Sequence, residues 1–142
     1  MPADPGVVLD ASALVAYSQN DLLAFPLDEL LRELREDTGG PVHIPEYALV
    51  DARVILHDDK TALARLESFA AAHGIVQAIG RGDQETIQLI VADAGVSWGL
   101  AHAMLLAAVR GALLATYVAS TLHRAGFDAR LILDLDEFFR PE

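Results

Sequence analysis

Short apolar runs that pass straight into longer helical patterns recur along this chain, and that alternation restricts its fold more than any other feature. Val7-Val8-Leu9 reads as a buried strand that stops at Asp10, and Ala11 to Gln19 follows at once as a helix. Further strands are expected at Val42-His43-Ile44, Ile75 to Ile79, Ala112 to Ala115 (with Thr116 at its end) and Ala129 to Leu133. Between them, helical spacing covers Pro26 to Glu36, with Leu27, Leu30, Leu31 and Leu34 on one face, then Glu46 to His57 and Lys60 to His73. Asp58-Asp59 suits the cap of that last helix. Asp83 starts another helix, which Gly95 stops, and Ser97 caps an apolar helix that runs to Arg110 and ends at Gly111; Ala119 to Ala125 is a short one. Strands alternating with helices in this way predict an α/β fold, a three-layer αβα sandwich around a mainly parallel sheet of about five strands.

A chain of 142 residues suits a single domain, 1–142, large enough to bury a core without disulfides. It has no cysteine, so a thiolate zinc site is excluded, and no basic stretch leads into an apolar run as in a secretory signal; a cytoplasmic location is the expectation. Ten Lys and Arg against 21 Asp and Glu leave a net charge of −11, which repels nucleic acid over most of the surface. Any RNA contact would need a local basic patch or a metal ion. Ala94 to Ala119 is apolar enough to invite a membrane reading, but Arg110 and His102 interrupt it, so a buried helix is preferred and no membrane partner is expected. There is no glycine-rich dinucleotide loop, no phosphate-binding loop with its Lys, and no paired-histidine zinc helix.

Asp10 is the first residue to suspect, because the carboxyl edge of a parallel sheet is where open α/β proteins place their sites. Asp10 or Ser12 equally suits the cap of the helix that follows. His102, inside the apolar helix, has the ordinary alternative of a core histidine held by one or two hydrogen bonds.

Strand, Asp, any residue, Ser, helix at the start; a Pro-led helix with an acid near residue 50; a buried Ala-rich helix late in the chain; then a Gly-Ala-led strand ending at Thr116: this order resembles a PIN domain from Val7 to about Asp134. Single-domain proteins of that family include the VapC-type toxins of toxin–antitoxin pairs. The resemblance implies a carboxylate cluster that binds Mg²⁺ or Mn²⁺ and hydrolyses RNA, since hard cations take oxygen ligands and acidify a bound water. It assigns Asp10 and Asp51 as catalytic metal ligands and Ser12, His102 and Thr116 as polar support. Asp51 lies six residues after Pro45; Glu46 competes for its place, about 140° away around the helix, and Asp93 is a further substitute. The third and fourth acids of the family fall here at or near His102 and at Val118. The expected function is therefore that of a PIN-like protein related to ribonuclease toxins, with nuclease activity weak or lost and the metal weakly held or absent. The alternatives are a non-catalytic binding or regulatory module and an active Mg- or Mn-dependent endoribonuclease. The implied partners are RNA if the site is active, an antitoxin protein, and a second copy of the chain, docked through the leucine-rich stretches Phe25 to Leu34 and Glu46 to Leu56. A receiver-like α/β domain fits the alternation but requires an acidic pair at the first strand and a late Lys.

Overall fold

The computed structural model describes residues 6–19, 27–33, 36 and 41–138. Pro26, Leu34 and the predicted helix stop at Thr38-Gly39-Gly40 lie outside them. Strand β1 (Val7–Leu9) leads into α1 (Ala11–Gln19), residues 27–33 are helical (α2), and β2 (Val42–Pro45) enters α3 (Glu46–Ile55) directly. Then come α4 (Lys60–His73), β3 (Gly74–Gln77), α5 (Asp83–Ala94), α6 (Trp98–Arg110), β4 (Leu113–Thr116), α7 (Ala119–Arg124), a 3-10 turn at Ala129–Leu131, β5 (Ile132–Asp134) and α8 (Leu135–Phe138).

The five strands form one sheet in the order β3-β2-β1-β4-β5, with every neighbouring pair parallel. The chain therefore builds outward from β1 in one direction through β3 and then returns to its other side with β4. The fold is the expected α/β sandwich. Period-two alternation explains its layers: Val7 and Leu9 point into one apolar cluster with Leu14, Leu27, Ile44 and Leu66, whereas Val8 points into another with Ile87, Leu100, Ala103 and Leu114. Helices α1, α2, α3 and α4 contribute to the first cluster, and α5, α6 and α7 to the second. Each fully buried Leu contributes about 1.5–3 kcal/mol relative to exposure, so both faces are needed to hold the sheet.

Local signals decide most boundaries. Asp59 Oδ1 accepts the Ala62 N–H at 3.0 Å and so caps α4, as the Asp58-Asp59 pair suggested. Ser97 Oγ accepts from Leu100 at 3.1 Å and caps α6. Gly95 and Gly111 close α5 and α6 with φ of 68° and 66°, a left-handed conformation that residues with a Cβ rarely adopt. The last strand starts later than expected, at Ile132, because Asp128 accepts the Arg130 N–H and winds Ala129–Leu131 into a 3-10 turn. Helix α6 is not buried throughout: its first half is core, but Val109 is 75 % exposed. Among the described residues no single helix is long and apolar enough to cross a membrane; α5 and α6 pass such a test only together, across a 115° bend.

Candidate functional site

The strand order changes direction between β1 and β4, and ligands of open α/β sheets bind at such a point, beyond the carboxyl ends of the strands. A cleft of about 320 Å³ lies there, lined by Asp10, Ser12, Ile55, Leu100, Val118 and Thr121 among others. Register brings its two sides together. Leu9 pairs with Ala115, so the next residues along each strand, Asp10 and Thr116, stand side by side at the edge.

Asp10 is 1 % exposed and its carboxylate is heavily engaged. Oδ1 accepts the Ser12 hydroxyl at 2.6 Å and the Ala13 N–H at 3.0 Å, while Oδ2 accepts the Thr116 hydroxyl at 2.5 Å. Its backbone carbonyl accepts from Leu14, so Asp10 is the N-cap of α1 as well as the acid at the sheet edge. The two hydroxyls carry the network onward: Ser12 Oγ accepts the Tyr117 N–H and Thr116 Oγ1 accepts the Val118 N–H, each at 2.9 Å. The result is a polar tie between the start of α1 and the loop after β4. Burial pushes the Asp10 carboxyl above its ordinary range, and the hydrogen bonds from Ser12, Thr116 and Ala13 pull the other way without reversing it.

Asp51 is turned to a different use. Its Oδ2 accepts the Gly99 N–H at 3.0 Å, which places a negative charge on the first turn of α6. Gly99 is required there, because a Cβ would collide with that carboxylate and come within 2.9 Å of Ala48 Cα. Asp51 on α3 and Ser97 thus each satisfy a free N–H of α6, at Gly99 and Leu100. Ser97 and Leu100 line the Asp10 cleft, so Asp51 fixes one of its walls.

His102 does not line that cleft. It is 4 % exposed, its Nδ1 accepts the Tyr47 N–H at 3.3 Å, and its ring lies edge-on to Tyr47. Burial lowers its pKa, with the charges of Glu46 and Asp83 opposing the shift. It is among the lining residues of a separate cavity, with Asp83 and Arg110. Asp93 lines a third, with Thr121 and Arg124, which shares Gly95 and Thr121 with the Asp10 cleft.

A hard divalent cation takes about six oxygens. A carboxylate offers about four acceptor sites, and three on Asp10 are filled from within the protein. Asp51 contributes to a helix terminus, and no group of three or more His, Asp or Glu among the described residues is placed to hold a metal. The residues present therefore fit a tightly bound Mg²⁺ or Mn²⁺ poorly.

Thr116 was legible as a strand end, and its support of Asp10 was what the family resemblance implied, whereas the hydrogen bond between them was not legible. Nor were the Asp51–Gly99 and His102–Tyr47 contacts, since each joins residues distant in sequence and no pattern near either partner announces the other. A scan against protein-family models and a search of the curated proteins each found no match to this chain.

Proposed function

We propose that this chain is a PIN-like domain protein, related to the metal-dependent ribonuclease toxins of toxin–antitoxin systems, in which nuclease chemistry is weak or lost and binding at the sheet edge remains. The observation that carries the reading is the state of Asp10. Three residues that the resemblance assigns to one site, Asp10, Ser12 and Thr116, form one hydrogen-bonded cluster at the edge of the sheet, yet the bonds use most of the acid's acceptor capacity. Val118, at the family's fourth acidic position, adds an apolar side chain to the same cleft. On this reading RNA and an antitoxin are the partners to test first.

Calorimetry with Mn²⁺ and an RNA cleavage assay, run on the wild type, Asp10→Asn and Val118→Asp, test it. The expected result is weak Mn²⁺ binding by the wild type and a measurable gain in Val118→Asp, which puts a second carboxylate into the cleft. His102→Asp should give no such gain, because that side chain lies in another cavity. Tight Mg²⁺ binding by the wild type, with RNA cleavage lost in Asp10→Asn, would instead establish an active nuclease.

A further inference from the structure

Strand β3 forms one edge of the sheet and carries none of the features that keep such an edge from pairing. On one side it pairs with β2 in unbroken register over four residues; on the other, no described strand meets its backbone N–H and C=O groups. Register sets Val76 beside Ile44, on the side of the first apolar cluster, and Ile75 beside His43, on the opposite side. Ile75 is 49 % exposed and Val76 45 %, so both flanks of the edge show a β-branched side chain to solvent.

Exposed edges are usually blocked by a charged side chain, a Pro or a bulge. Gly74 to Ile79 has none of these. The opposite edge is different: β5 is three residues long, half-buried throughout, and ends on Asp134, whose Oδ1 accepts the Asp136 and Glu137 N–H groups.

Charge selects what the free edge accepts. Ser68 to Gly80 contains no Asp, Glu, Lys or Arg, in a chain of net charge −11. Burial does not explain this, because Ser68, Ala71, Ala72, Ile75, Val76 and Ala78 are exposed. A basic partner is drawn to acidic surface, whereas a second copy of an acidic chain is repelled wherever like charges meet. Along this helix end and strand that repulsion is absent. The residues also suit self-pairing: about a two-fold axis normal to the sheet, an antiparallel β3 pair sets Ile75 or Val76 opposite itself.

We propose that two copies of this chain join through β3, antiparallel across a two-fold axis, so that two five-stranded sheets become one. The small side chains of Ala71 and Ala72, in the last turn of α4, leave room for the second copy on one flank. The joint shares no residue with the Asp10 cleft and stands whether or not that cleft retains nuclease chemistry.

Light scattering of the full chain should give about twice 15.2 kDa. Ile75→Lys with Val76→Lys opposes like charges at the joint in either register, and should return the single-chain mass with an unchanged far-UV circular dichroism spectrum. The chain has no cysteine, so single substitutions map the contact. Either Ile75→Cys or Val76→Cys, whichever lies on the axis, should give a disulfide-linked dimer under mild oxidation, since opposed Cα atoms of an antiparallel pair stand about 4.5–5.5 Å apart. Val54→Cys, on α3, should not. A wild type that remains a single chain at about 100 μM overturns the proposal, since even a weak micromolar dimer forms there. A dimer that keeps its mass in the double Lys variant overturns it too, as does cross-linking through Val54→Cys and through neither β3 position.

Discussion

The Asp51 carboxylate occupies the space that a side chain on Gly99 would need, and it accepts the Gly99 N–H at 3.0 Å. One glycine and one acid, on helices distant in sequence, thus set how closely α3 and α6 approach. Gly99→Ala should therefore destabilise the protein by roughly 1–3 kcal/mol through overpacking, although alanine is the better helix former by about 1 kcal/mol. Urea denaturation measures it, and a stabilised Gly99→Ala would contradict the close approach.

Removing the acid tests its role as a cap from another helix. Asp51→Ala should cost about 0.5–2 kcal/mol, the range for losing a helix-terminal acceptor, whereas Asp51→Asn keeps an acceptor and should cost less. The order of the two should be the same in EDTA as in Mg²⁺. A loss that appears only with the metal present would make Asp51 a ligand instead.

Asp10 should make the fold less stable at neutral pH than its isostere does. A carboxyl held above its ordinary value of 3.8 contributes stability below that pH and loses it as pH rises through the folded value. Asp10→Asn should therefore melt higher than the wild type at pH 7, and the difference should shrink in acid. Thermal melts across that range decide the sign.

His102 should act in the opposite direction and at a higher pH. Its pKa is depressed below 6.5, so its neutral ring stabilises the fold above that value, and the contribution is lost as pH falls through the folded pKa. His102→Asn, which retains an acceptor for Tyr47, should be less stable than wild type at about pH 8, by on the order of 1 kcal/mol. The deficit should narrow towards about pH 5, where the wild type bears the cost of protonating a buried ring. A constant gap across those pH values would show that the histidine does not titrate with folding.

Of the two leucine-rich stretches expected to dock a second copy, α3 is the one whose described residues expose large apolar side chains. Leu27, Leu30 and Leu31 are core residues, at 0 %, 6 % and 4 % exposure, and Phe25 lies outside the described residues. Val50, Val54 and Ile55 are 44 %, 64 % and 58 % exposed on one helix. If two copies pair through it, light scattering should give about twice 15.2 kDa for the wild type and the single-chain mass for Val54→Glu.

The sequence by itself determined the alternation of strands and helices, the parallel sandwich, and the caps at Asp59, Ser97, Gly95 and Gly111. Those features depend on short-range physics: a side-chain period of two or 3.6, an oxygen within reach of a free N–H, and a backbone angle that glycine allows. It also singled out Asp10, because a strand end at a sheet edge can be read from an apolar run; the supporting roles of Ser12 and Thr116 were what the family resemblance implied. Only the tertiary structure decided what these groups do. Strand register set Thr116 against Asp10, and helix packing set Asp51 on Gly99 and the Tyr47 N–H on His102. Each depends on two distant segments meeting within a hydrogen bond's length, and neither segment alone carries that information.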